Sequence, residues 1–173
     1  YRMYARLRPY HLIGAIGGFL TVLTAIISLA VSTSYYISAE WVIIVNMLLI
    51  GSNGLIATYF FGAFSASRDS LIKVGSLIAG IGLGFNVLIS ILQMAGVYVF
   101  VLALLGALVM MAGVVIACIK FIMLFQRDAF VVVFCVFIFL GLLLSLFWTW
   151  ASLISGAGLG GLLIYFYVHN ITY

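Results

Sequence analysis

The sequence predicts an all-α integral membrane protein, a six-helix polytopic bundle, on three observations. The 173-residue chain is 68% apolar with a mean hydropathy of +1.43, against about 45–50% apolar in an average soluble domain. Charged residues make up only 6%, too few to cover a water-soluble globule, and so apolar a chain does not stay disordered. The apolar runs are continuous and roughly twenty residues long, the length at which a helix crosses a bilayer; a membrane barrel would instead show alternating segments of about ten.

Residues 1–10, "YRMYARLRPY", form a basic, aromatic segment expected at a membrane interface. With the run behind it, this opening looks like the charged and hydrophobic regions of a signal peptide. The run is too long for a signal core, so a retained signal-anchor span is expected. Pro9 stands just ahead of that run, where a missing N–H costs little, and the chain opens on Tyr rather than Met, so preceding residues are expected. Six spans follow at 11–33, 41–64, 71–93, 97–124, 129–149 and 151–168, with 169–173 as a short tail. The third and fourth are separated only by "QMAGVY", and the last two meet at "WTWASLISGAG". Four or five spans with a re-entrant segment is the competing arrangement.

Charge placement orients these spans. Arg2, Arg6 and Arg8 precede the first, Arg68 and Lys73 fall between the second and third, and Lys120 and Arg127 between the fourth and fifth. In a six-span arrangement every basic residue is then on one side. The opposite connections, near 34–40, 95–98 and 149–155, hold no Lys or Arg. By the positive-inside rule both termini are expected on the cytoplasmic side of a cell membrane. Aromatics agree: Tyr35, Tyr36, Trp41, Trp148 and Trp150 would mark the outer interface, and Tyr4, Tyr10, Tyr59, Tyr165 and Tyr167 the inner one. Arg8, Arg68 and Arg127 recur at near-equal intervals, and the last two open Arg-Asp pairs. Three helical-hairpin repeats would produce that spacing, as would any two spans with their loops.

Inside the spans, Gly14/Gly18, Gly80/Gly84 and Gly156/Gly160 are small residues four apart. Such pairs let helix backbones approach closely in lipid, where no aqueous hydrophobic force drives association. The last pair lies in "GAGLGG", which matches a dinucleotide-binding fingerprint in letters only, because the required strand and soluble βαβ unit are absent. Asn46 and Asn53 share one face of the second span, and Asn86, Ser90 and Gln93 one face of the third. They suit hydrogen bonds between helices, or else a polar path between the two spans. No Asp, Glu, Lys or Arg falls deep in a span, which argues against proton relays, voltage sensors and ion-coupled carriers.

Metal and redox chemistry find little support. Cys118 and Cys135 lie in apolar runs and suit small packing residues; zinc and iron–sulfur ligand spacings are missing. His11 and His169 fall near the same edge, a thin basis for haem, and are taken as interfacial polar residues. Glu40 lies on the opposite side from both, and Asp69 and Asp128 neighbour arginines as local charge partners, so no Ser-His-Asp set can be assembled. No catalytic, cofactor or metal residue is assigned, and seven dispersed basic residues make no track for nucleic acid. The expected function is a non-catalytic accessory subunit of a larger membrane complex, an energy-transducing one among the candidates. Its partners would be membrane lipids and other integral subunits, and bound lipid is compatible with it. The alternative is a small transporter or channel for a neutral or weakly polar solute. An enzyme using the edge histidines ranks last.

Overall fold

The structure, a computed structural model, describes residues 4–33 and 39–173. Arg2, Tyr35 and Tyr36 lie outside the described residues. Six α-helices account for nearly all of them: α1 (Tyr4–Ser32), α2 (Ala39–Ala66), α3 (Ser70–Met94), α4 (Phe100–Leu124), α5 (Ala129–Ser145) and α6 (Ser152–Val168), with one 3-10 turn at Thr149–Ala151. The first four are long and apolar enough to cross a membrane. The last two have 17 residues each, the lower edge of what spans a hydrocarbon core.

Local chemistry sets several of the boundaries. Asp69 Oδ1 accepts the N–H groups of Leu71 and Ile72 at 3.0 and 3.1 Å, and Asp128 Oδ1 accepts that of Phe130 at 3.1 Å. Each aspartate caps a helix whose first N–H groups have no partner within the helix. They were expected to pair with the neighbouring arginines. Instead, Asp69 Oδ2 meets Lys120 Nζ at 3.4 Å, and Asp128 Oδ2 accepts the Tyr165 hydroxyl at 2.5 Å. The feature common to the two Arg-Asp pairs is thus a local cap.

α3 and α6 end in the same left-handed cap. Gly96 (φ 84°) and Asn170 (φ 51°) supply the positive φ. Val97 N–H then donates to Leu92 O at 2.9 Å, and Ile171 N–H to Phe166 O at 3.0 Å. α1 begins at Tyr4, so Pro9 sits inside the helix rather than ahead of it; an exposed position two turns from the start tolerates the lost hydrogen bond.

The helices form a ring. Each packs on its sequence neighbours, and α1 closes the circle against α6. Glycines draw the seams together. A Cβ on Gly18 would lie 2.6 Å from Gly160 N and 2.9 Å from Gly156 O, so α1 and α6 touch backbone to backbone. Gly14 faces Leu163 and Tyr59, Gly156 faces Gly18 and Thr21, and Gly160 faces the Phe19 ring. The α3/α4 seam is the most densely packed of the six. Its close contacts belong to Gly75, Gly82 and Gly113, which meet Ala117, Met110 and Ala79. The pair expected to serve α3, Gly80/Gly84, is divided: Gly80 receives the Phe61 ring from α2, and Gly84 has nothing within 4 Å of a Cβ. Spacing alone does not say which side of a helix a glycine pair faces. The α4/α5 seam is the most sparsely packed and has no glycine contact.

The start of α1, the α2–α3 and α4–α5 connections and the tail meet at one end of the ring. There the Arg8 guanidinium lies 4.7 Å from the Tyr167 ring centre, and Arg68 N–H donates to Tyr173 O at 3.0 Å. The lysine–aspartate pair Lys120–Asp69 bridges the same end. This is the basic end.

Candidate functional site

A ring of six helices leaves a lumen, and its two halves are filled differently. Towards the basic end, side chains from every helix close it: Leu7, Tyr59, Ile72, Phe121, Val131 and Phe166 are buried. Through their centre comes Tyr173. The left-handed turn at Asn170 reverses the chain after α6 and carries this residue back into the ring.

Tyr173 is held from both sides. Its carbonyl accepts the Arg68 N–H and the Ser67 hydroxyl, each at 3.0 Å. Its hydroxyl lies 2.9 Å from His11 Nε2 and 2.5 Å from the Tyr59 hydroxyl. Both bonds are satisfied when Tyr59 donates to Tyr173 and Tyr173 donates to a neutral His11. Phe121 meets the Tyr173 ring edge-on at 4.9 Å, and Phe166 lies 5.7 Å away. Burial, and then the adjacent Tyr59, push the Tyr173 hydroxyl well above the ordinary tyrosine range, so it keeps its proton. The result is a plug of one tail residue locked by two side chains of the ring.

Towards the far end lies a cavity of about 500 Å³, within the range of small-molecule sites. All six helices contribute to its wall. Phe60, Leu83, Val114 and Ile138 line its deep part, and Thr21, Thr24, Ser28, Ser52, Ser145 and Ser155 bring hydroxyls. Most of those hydroxyl protons are already committed. Thr21 donates to Gly17 O at 3.0 Å, Thr24 to Leu20 O at 2.8 Å, Ser52 to Leu49 O at 3.2 Å, Ser145 to Leu142 O at 2.7 Å and Ser155 to Ser152 O at 3.0 Å. Their oxygens keep lone pairs, so these residues face the cavity as acceptors. Ser28 and Asn53 are the exceptions: the Ser28 hydroxyl and the half-buried Asn53 carboxamide line the cavity without a hydrogen-bond partner among the described residues. Among the described residues no charged side chain lines it.

The other polar residues singled out in the sequence are not gathered at this site. Asn46 is buried and donates to Val42 O of its own helix at 3.0 Å. Asn86 turns towards α4, its Oδ1 3.0 Å from a Cβ on Gly106, while Ser90 is buried and Gln93 half-buried farther along α3. No hydrogen bond joins the α2 and α3 sets among the described residues. The histidines part company too. His169 is exposed, whereas His11, expected at an interface, is 1% exposed inside the ring. Tyr59, also expected at the interface, is buried beside it. Cys118 and Cys135 are buried free thiols, and no group of three metal-ligating side chains occurs among the described residues.

Sequence reasoning missed the plug and most of the hydroxyl wall. One signal was present, because Thr21, Thr24 and Ser28 follow three- and four-residue steps along one face of α1. For Tyr173 no local signal existed; its role depends on where the turn at Asn170 delivers it. Comparison of the chain with protein-family models, curated proteins and solved structures finds no match.

Proposed function

We propose that this chain is a six-span membrane protein whose lumen binds a small, neutral, weakly polar solute and passes it when the Tyr173 plug moves aside. The observation that carries this reading is the lumen itself: a partly polar cavity at one end of a closed helix ring and a hydrogen-bonded plug at the other. The accessory-subunit reading does not by itself call for such an interior. The accessory-subunit reading draws on the outer surface, where Phe19, Ile43, Ile81, Leu104 and Phe137 are exposed, and lipid covers such a surface as well as a partner would.

α5 and α6 cross as well as the first four, because α6 runs against α1 from Gly156, which meets Gly18, to Tyr167, which meets Arg8. The basic end faces the cytoplasm of a cell membrane, and both ends of this chain lie there. Exposed Trp41, Trp148 and Trp150 mark the far interface. Single cysteines at Ser70 and Val97 should therefore react with an impermeant thiol reagent from opposite sides of sealed vesicles. Labelling from one side would remove the six-span topology.

Function is tested in liposomes reconstituted with this chain alone. Glycerol-sized neutral solutes should equilibrate faster than in empty liposomes, and Asn53→Phe, which narrows the cavity and removes its free amide, should slow them. No transport by the wild-type chain, together with a stably co-purifying membrane protein whose activity needs it, would restore the subunit reading.

A further inference from the structure

The wall chemistry of the cavity and the uneven seams of the ring together specify the solute and its entry route. The wall combines an apolar lining with hydroxyl oxygens whose protons are spent on their own helices. Such a wall accepts hydrogen bonds from a ligand but returns few. Asn53 offers an uncommitted amide and Ser28 an uncommitted hydroxyl, and each can both donate and accept. A carboxylate or phosphate in this cavity would face lone pairs without a cation, and an ammonium would have no carboxylate; each leaves a buried, unpaired charge. A neutral hydroxyl satisfies both sides, donating to a wall oxygen while accepting from the Asn53 amide.

The route follows from packing. Five seams carry a glycine that fits against the neighbouring helix: Gly17 against Ile56, Gly80 against Phe61, Gly113 against Ala79, Gly141 against Ser155 and Gly18 against Gly160. The sixth, between α4 and α5, has none and is the most sparsely packed. Met110 of α4 and Leu142 of α5 both line the cavity, so its wall runs across this seam. Tyr173 and its partners close the basic end of the same lumen.

Resting on the lumen reading above, we propose that the solute is a neutral, hydroxyl-bearing, single-chain lipid, and that it enters from the bilayer between α4 and α5. The hydroxyl is held at Asn53 and the hydroxyl wall, and the chain lies along the apolar part towards Met110 and Leu142.

A long-chain alcohol bearing a photoreactive diazirine, dissolved in the bilayer of reconstituted liposomes, tests this. Labels mapped by mass spectrometry should fall on Met110, Leu142 and Leu159. Oleyl alcohol should displace them at a concentration at least about tenfold lower than oleate, whose carboxylate would be buried without a cation. Asn53→Leu should raise the oleyl alcohol concentration needed about tenfold, the loss of roughly one hydrogen bond, while lumen labelling persists and oleate still competes more weakly. Labels confined to the outward residues Val101, Phe137 and Leu140, or equal competition by oleate in the wild-type protein, would overturn the proposal without need of any variant. If lipid labelling stays outside while glycerol still crosses, the lipid inference falls and the lumen reading stands. If neither occurs, both fall.

Discussion

The basic-end half of the ring is packed and cross-linked by hydrogen bonds; the far half is loose and holds a cavity. Both halves are made of the same six apolar helices, so hydropathy does not distinguish them. The difference lies in what projects inward. Near the basic end, Tyr59, Phe121, Phe166 and Tyr173 interlock, and the His11 ring joins Tyr59 and Tyr173 through the Tyr173 hydroxyl. Near the far end, the inward positions on α1, α2, α5 and α6 carry Ser, Thr and Asn, too small to meet across the ring. Rigidity at one end and vacancy at the other is an arrangement in which the occupied half can hold the open half in shape.

The largest break in that contrast should come from Tyr173→Ala. It empties the plug, and aromatic-to-alanine changes in packed interiors cost about 3–5 kcal/mol. Thermal unfolding in mild detergent should show this, whereas Ser145→Ala in the far half should fall within about 0.5 kcal/mol of wild type. Equal effects would mean that the halves do not differ energetically. Because the plug closes the lumen, the alanine variant should also raise solute leak in liposomes.

Next comes the seam between α1 and α6. Gly18→Leu pushes a branched side chain into the Gly156–Gly160 backbone, an overpacking cost of about 1–3 kcal/mol. Gly84→Leu, with open space around it, should leave the melting temperature unchanged. A destabilised Gly84 variant would reveal a contact made by something other than this chain. That result would sharpen the case for a partner.

A smaller effect is expected at the caps. Asp69→Ala removes two hydrogen bonds to the start of α3 and the Lys120 contact, worth about 1–2 kcal/mol together. Asp128→Ala removes one capping bond and the Tyr165 contact and should cost no more than Asp69→Ala. Denaturant midpoints of the two variants decide the order. Smallest of all should be the stability change of Asn53→Leu, because that amide has no protein partner to lose. A large loss in its melting temperature would place Asn53 in the framework rather than at the site.

How much of this was legible beforehand depends on the range of the interaction concerned. Six helices and their approximate limits follow from runs of apolar residues. The caps at Asp69, Asp128 and Gly96 are equally local in origin, but the two aspartates were expected to partner the adjacent arginines, and Gly96 was passed over. Such signals are local and survive any packing arrangement. The grouping of basic residues also follows from the order of helices, since antiparallel neighbours bring alternate connections to one end. Contacts between helices are another matter. Gly82 and Gly84 are two residues apart on α3, yet one meets the Met110 backbone and the other meets nothing. Rotation of the helix about its axis decides that, and rotation is fixed by all neighbours at once.

The same division holds between segment composition and the packing of helix on helix. Composition and run length were enough for an apolar, all-helical chain with helices able to cross a membrane, because burying backbone hydrogen bonds within each segment needs no other segment. Ring closure of α1 on α6, the cavity near Asn53 and the return of Tyr173 between His11 and Tyr59 depend on residues far apart in the chain; Tyr173 and His11 are separated by 162 positions. Hydroxyls on α1 become a cavity wall only when α2, α5 and α6 present small polar residues at the same depth and α3 and α4 close the remaining side. That coincidence is a property of the assembled ring, and no single segment carries it.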